Sequence, residues 1–318
     1  MKDTQTKIVL ITRRTRLDEL LYRHNTLQQA RFYVESLGAD FDEYVEEDKV
    51  YNKSLTTCSA HLSPLGRVQV IDREFLPNFL FGPDDVIVVI GQDGTLANTL
   101  KYTPDRPVIA VNPDPGRFDG TLLPFSPSDL PLIVSDVMQA NFDFSEITMA
   151  KVELSNGQQL LAVNDLFIGP ANHTSARYEL SIDGNSEFQS SSGIIVSTGL
   201  GSTGWFKSIL TGAIGVTQAL DSQPHAQALN QAERYINQGF DWDSDFLYYS
   251  VREPFSSQTS STNLVFGMIN NSNPLTIVSA MPQNGVIFSD GQVEDVIQFS
   301  SGISASISTS EHKGLLVI

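Results

Sequence analysis

The stretch that decides the fold is VIVVIGQDGTLANTLK, residues 86–101. Val86–Ile90 are five consecutive β-branched residues, which suits a strand buried on both faces of a parallel sheet. The run stops at Gly91-Gln92-Asp93-Gly94-Thr95, and LANTLKY continues as a short helix. Glycines after a strand let the backbone turn tightly and approach a ligand closely. The helix N-terminus then offers unpaired N–H groups to phosphate oxygens. Asp93 would be the one acid beside that phosphate. A carboxylate fits there if it takes a proton from an attacking hydroxyl or helps to position Mg2+. On five residues alone, a plain Asp-Gly turn between strand and helix is the competing reading.

On either side of this stretch, strands and helices alternate. KIVLIT (7–12) reads as a buried strand. Residues 17–38 then carry Leu17, Leu20, Leu21, Leu27, Ala30, Val34 and Leu37 at helical spacing, with Gly38 as the C-terminal cap. RVQVID (67–72) and VIAVN (108–112) read as strands, and residues 128–140 as a helix opened by Ser128. The alternation predicts an open α/β sheet. The loop VNPDPGRFDG (111–120), with Asn112 at its start, leaves the C-terminal end of a strand, where such sheets bind ligands.

The character changes near residue 145. Two hairpins are signalled by Asn156-Gly157 and Asp183-Gly184. From 246 onward short apolar runs alternate with Gly, Asn and Ser, predicting mostly antiparallel β-structure broken by one helix at 224–239. The expected fold class is therefore α/β plus all-β: an open α/β nucleotide-binding domain over 1–142, and a β-rich, sandwich-like domain over 143–304. Residues from about 305 to 318 are expected to pack back onto the first domain.

With 318 residues, 41% hydrophobic and 18% charged, the chain can bury a real core and is not a disordered composition. Cys58 is the lone cysteine, so no intramolecular disulfide can form, and a free thiol suits a reducing compartment. His24, His61, His173, His225 and His312 show no metal-ligand spacing, so no metal-binding residue is assigned. MKDTQTK leads straight into a short apolar strand, too short for a signal peptide or a membrane span, which gives the expectation of a cytoplasmic protein. A net charge of -17 argues against nucleic acid or an anionic membrane as partner. Any phosphate would have to be held by backbone N–H groups, a few cations and Mg2+; Lys101, Arg117, Arg177 and Lys207 lie near the motifs.

Two further segments carry polar groups suited to a nucleotide. Asn164-Asp165 ends the strand LLAVND and places an amide beside a carboxylate, a set that matches a ribose or base edge as well as it matches a strand-end turn. IIVSTGLGSTGW (194–205) contains Gly199-x-Gly201-x-x-Gly204, with Asp221 further on. That pattern fits the dinucleotide fingerprint in letters only, because it sits in the β-rich half rather than opening a parallel sheet. Its small hydroxyl-bearing residues suit the lining of a nucleotide site, and Trp205 is either a stacking face or a core aromatic.

GQDGT, NPDPGRFDG, Asn164-Asp165 and STGLGSTGW occur in the order of the motifs of the NAD kinase family, which this chain resembles over roughly residues 85–255. The mitochondrial-type branch is the more similar one, through the NDxFIG pattern, the SSG before the TGxGS segment, and VREP at Val251–Pro254. The resemblance implies an α/β domain with a GGDG-type loop, a β-rich domain with the dinucleotide site, and a cleft between them. It implies transfer of the ATP γ-phosphate to the 2'-hydroxyl of the adenosine ribose of NAD. Asp93 would be base or positioning acid. Gly91, Gln92, Gly94 and Thr95 would hold phosphates with Mg2+. Asn112, Asn164, Asp165, Ser192, Thr198, Ser202, Thr203, Gly204 and Trp205 would serve nucleotide binding. A homodimer or higher homo-oligomer is implied as well.

Three positions depart from the family pattern. Gln92 replaces a loop glycine, and would cost about 1–3 kcal/mol if that position needed a positive φ. Ser192 replaces the Asp of a DG pair, and Trp205 replaces Tyr. The alternatives are a related kinase for a sugar or lipid alcohol, a non-catalytic NAD sensor, and a dehydrogenase using GLGSTG. Lipid kinases share GGDGT but lack the TGxGST segment and the Asn-Asp hairpin. The sequence leaves open NAD against NADH as acceptor and ATP against polyphosphate as donor.

Overall fold

The computed structural model describes residues 6–220, 226–291 and 295–318. It forms two compact units, Met1–Ser145 with Leu315–Ile318, and Glu146–Gly314. The division thus falls at Ser145 and Leu315, where the sequence expectation placed it at 142 and about 305.

The first unit is built on a parallel sheet in the order Arg67–Asp72, Lys7–Thr12, Val86–Ile90, Pro107–Val111. The end of the last strand of the chain, Leu315 and Leu316, pairs in parallel with Pro107 and Val108. Every residue of Val86–Ile90 is buried, as a β-branched strand covered on both faces must be. Ile8, Leu10, Val88, Ile90 and Ile109 pack there against Tyr51, Cys58 and Leu62 from one helix and Leu130 and Val134 from another.

The helix expected over 17–38 is two helices, Arg16–His24 and Leu27–Ser36. Asn25 takes a left-handed φ of 61° and ends the first, and the Thr26 hydroxyl accepts the Gln29 N–H to start the second. Gly38, at φ 76°, follows the second helix. The helix expected from Ser128 spans Leu130–Met138, and Asp129 occupies its N-cap position. The long helix Phe41–Leu62 was not expected from the sequence.

The second unit stacks two sheets. One runs Ser304–Val317, Leu275–Ser279, Ala176–Ile182, Asn185–Ser191, with Phe144–Leu154 and Gln159–Ala162 joined through the first of these. The other is antiparallel throughout: Phe266–Ile269, Leu247–Val251, Ile194–Ser197, Asp165–Pro170, Gly285–Ser289, Val296–Gln298. Tyr178, Ile277 and Ile307 of the first meet Ile168, Val196, Tyr249 and Ile287 of the second in one apolar core. This is a β-sandwich, with inward and outward residues alternating along Ala176–Ile182. Gly157, at φ 87°, and Asp183-Gly184, at 52° and 73°, make the two hairpin turns. The single helix expected at 224–239 is described over Ala226–Gln238, and a second helix, Trp205–Leu220, precedes it. Pro224, His225 and Asp221 lie outside the described residues.

Candidate active site

In the first unit, the strand Val86–Ile90 delivers the chain to Gly91, and the helix Asp93–Tyr102 begins two residues later. Gln92 is the N-cap, with φ −117° and ψ 169°. That is ordinary extended backbone, so the strain considered for a non-glycine residue here does not arise. The Gln92 carbonyl accepts the N–H groups of Thr95 at 2.8 Å and Leu96 at 3.3 Å. Its own N–H points to the Thr95 hydroxyl at 3.5 Å. Thr95 is buried, and a Cβ on Gly91 would stand 2.7 Å from its Oγ1. Gly91 is therefore fixed by the protein's own packing. Gly94 is different: it is exposed, and a Cβ there would meet nothing within 4 Å.

Asp93 is the first helical residue, half-buried, and its Oδ1 accepts the Leu122 N–H at 3.2 Å. The first N–H groups of such a helix have no intrahelical acceptor. The loop is braced from behind. Tyr51 donates to the Ile90 carbonyl at 3.2 Å and accepts the Arg13 N–H at 3.0 Å. Burial pushes the Tyr51 phenol up to about 12, so it stays a donor. Arg13 bonds Glu47 at 2.9 Å, and Arg16 bonds the same carboxylate. Asn112 is buried, with its amide engaged inside its own loop: Oδ1 accepts the Asp114 N–H at 3.0 Å, and Nδ2 donates to the Phe118 carbonyl at 3.0 Å.

In the second unit, three segments far apart in sequence converge on a cavity of about 300 Å³. Asn164, Asp165, Thr203, Gly204 and Trp205 line it, together with Leu200, Gly201, Phe288, Asp290 and Gly291. Asp290 ties the segments together. Its Oδ1 accepts the N–H groups of Val163, Asn164 and Asp165 at 3.1, 2.7 and 3.2 Å, and its own N–H returns to the Asp165 carbonyl at 2.9 Å. Gly201 must be glycine, since a Cβ would overlap the Asn164 carbonyl. Asp165 Oδ1 is buried without a hydrogen-bond partner. Burial pushes its carboxyl up to about 7; the Ser197 hydroxyl opposes the rise and the Asp290 charge adds to it. Trp205 stacks on Phe167 at 6.0 Å and 10°, and Phe167 on Phe288 at 4.8 Å and 25°. Trp205 is half-exposed at the cavity wall, not a core aromatic.

Three sequence-chosen residues of the second unit do not line this cavity. Thr198 is buried, donates to the Val163 carbonyl at 2.5 Å and accepts the Gly201 N–H at 3.1 Å. Ser202 is buried, donates to the Gly199 carbonyl at 2.6 Å and accepts the Phe240 N–H at 3.1 Å. Both hydroxyls fasten the loop that carries Thr203–Trp205. Ser192 is exposed, and its N–H bonds the Arg252 carbonyl at 2.9 Å. Of the cations near the motifs, Arg117 pairs with Asp114 at 3.5 Å, Lys101 is buried, Lys207 is exposed and Arg177 lines another hollow. A larger hollow of about 620 Å³ between Arg23 and Ser36 contains none of the motif residues. The sequence assigns none of Asp290, Phe288, Phe167 and Arg252 to the site, although Phe167 and Arg252 fall within the NDxFIG and VREP patterns. The turn signal Asp290-Gly291 was there to be seen, but nothing local shows that it reaches Asn164.

No protein-family model matches the chain. The chain is 23% identical to NAD kinase 2, mitochondrial, of Xenopus tropicalis over 340 aligned residues, which span 80% of this chain and 78% of that protein. Its fold is similar to that of an NAD kinase from Archaeoglobus fulgidus, solved in complex with ATP, at TM-score 0.57 and 15% identity over 98% of this chain and 94% of that one. It is similar as well to yeast NADH kinase complexed with NADH, at TM-score 0.58 and 15% identity over 99% and 84%. The fold likeness covers nearly the whole chain, both units included, and the sequence likeness spans 80% of it. Together these likenesses support assignment of the chain to the NAD kinase family.

Proposed function

We propose that the protein transfers the γ-phosphate of ATP to the 2'-hydroxyl of the adenosine ribose of NAD, making NADP. The observation that carries the reading is the placement of Asp93: a half-buried carboxylate as the first residue of a helix whose N-terminus follows a glycine turn. A helix start attracts phosphate, and a carboxylate there repels it unless it has work to do. That work is on the acceptor. The ribose oxygen attacks the γ-phosphorus, the bond to the β-phosphate oxygen breaks, ADP leaves, and Asp93 takes the hydroxyl proton.

Gly94 offers open space for close approach of a phosphate, and the first N–H groups of the helix are the donors. Mg2+ is bound by one or two carboxylates plus substrate phosphates rather than by a protein cage. Asp93 would be the residue to hold such an ion, which would supply charge neutralisation on the transferred group. The dinucleotide is assigned to the cavity of the second unit. Its buried, unpartnered Asp165 Oδ1 calls for a donor of the kind a ribose hydroxyl provides. A homodimer or higher homo-oligomer is part of the proposal, by analogy with the family. So is a cytoplasmic site of action, supported by the lone buried Cys58. The non-catalytic sensor loses its main motive, because Gln92 sits in unstrained backbone.

The test is product analysis with Mg-ATP or Mg-polyphosphate against a panel of NAD, NADH, a hexose and a sphingoid alcohol. NADP or NADPH as the phosphorylated product is expected. Phosphorylation of the sugar or lipid alone would overturn the reading.

A further inference from the structure

The cavity assigned to the dinucleotide has the wrong charge for its ligand. Among the described residues, two carboxylates, Asp165 and Asp290, line it, and no lysine or arginine does. NAD carries a pyrophosphate, and a low-dielectric cavity of negative sign repels it. One arginine lies against the cavity wall. The Arg252 guanidinium carbon is 5.6 Å from the centroid of the Trp205 ring, within cation–π range.

The backbone holds Arg252 in that place. Its N–H donates to the Gly193 carbonyl at 2.8 Å and its carbonyl accepts the Ser192 N–H at 2.9 Å, while Val251 before it pairs with Ile194. The charge is barely spent within the protein. The carboxylate it meets, Glu253 Oε2, is 3.9 Å away on a side chain 67% exposed, which is an ion pair of little worth. The guanidinium side chain itself is 34% exposed. A planar guanidinium laid on an aromatic face keeps its N–H edge available for two parallel bonds to a phosphate.

We propose that Arg252 is a specificity-determining residue of this site: it receives a phosphate oxygen of the dinucleotide beside Trp205 and selects phosphorylated ligands over the neutral nucleoside. This rests on the reading of the cavity as the dinucleotide site. Lysine would keep the charge but lose the planar fork, so it restores the function only in part.

The test uses the full chain as wild type, Arg252→Gln and Arg252→Lys, with circular dichroism to verify folding. Calorimetric titrations with NAD and with adenosine, which has the same base and ribose but no phosphate, are run across a salt series. Arg252→Gln is expected to weaken NAD at least tenfold, to leave adenosine unchanged and to flatten the salt dependence of NAD binding. Arg252→Lys should fall between. Equal weakening of both ligands would overturn the proposal, because Arg252 would then only support Trp205. Unchanged NAD binding and salt slope in Arg252→Gln would overturn it too. Wild-type protein that binds no NAD would sink the dinucleotide reading and this inference with it, an outcome distinct from the other two.

Discussion

Asp165 holds one carboxylate oxygen buried without a partner, beside a second carboxylate on Asp290. Burial, and then the Asp290 charge, raise its pKa from 3.8 to about 7. The folded protein therefore binds this proton more tightly than the unfolded chain. Stability from this group is fully present below about pH 4 and is lost as pH rises through 7. Asp165→Asn removes the titration, so it should stabilise the protein relative to wild type at pH 8 by more than at pH 5. Urea denaturation midpoints at the two pH values read this directly; a difference independent of pH would mean that Asp165 is not a buried titrating acid. At this scale the sequence was informative only locally. Asn164-Asp165 stood out as an amide–acid pair. The carboxylate that aligns them, Asp290, bonds Asp165 from 125 residues away, a distance no local pattern bridges.

Two motif glycines differ in what the fold asks of them, and a pair of variants separates packing from ligand approach. Gly201→Ala forces a Cβ into the Asn164 carbonyl. It should cost about 1–3 kcal/mol of stability, lowering the melting temperature. Gly94→Ala meets open space at a helix start. It should leave melting unchanged or slightly raised while turnover falls, because only the bound phosphate needs that room. Full activity of Gly94→Ala would remove Gly94 from the phosphate loop.

The helix Phe41–Leu62 tells a second story at the level of the element. Phe41, Tyr51, Cys58 and Leu62 face inward at helical spacing, yet the fifth inward residue is Glu47, 2% exposed. A charge on the core face interrupts the apolar period that a sequence reading relies on. The charge is tolerated because Arg13 and Arg16 hold it. Burial alone would push the Glu47 carboxyl up, but its bonds to these arginines outweigh that and keep it below 4.5. Glu47→Gln should destabilise the protein at pH 7 by about 3–5 kcal/mol, as removal of one partner from a buried pair does. The gap should begin to narrow as pH falls below the ordinary value of 4.5 and close as it falls through the lowered pKa of Glu47 in the folded protein. Chemical denaturation at pH 7 and pH 4 checks both the size and the narrowing. The break at Asn25–Thr26 escaped for a related reason: periodicity continues across it, and only cap chemistry marks it.

At the scale of the molecule, the alternation of strands and helices before residue 145 and the turn-punctuated strands after it were enough to call an α/β unit and a β-sandwich. The convergence of Asn164, Gly201 and Asp290 on one cavity was not, because it depends on strand order within the second unit. A chain of net charge -17 with the proposed task of binding two anions must place its few favourable groups well. The proposed chemistry rests on one carboxylate, Asp93, in the first unit, and the proposed acceptor site is the cavity of the second.

The most direct test is NADP formation from NAD with Mg-ATP, comparing wild type with Asp93→Asn, alongside NAD binding to both. Wild-type turnover, a loss of about 10²–10⁴-fold in the variant and nearly unchanged NAD affinity are predicted, because the substitution removes a proton acceptor with little change in shape. Turnover in Asp93→Asn equal to wild type, or measurable NAD binding with no turnover in the wild type on any phosphate donor, would contradict it.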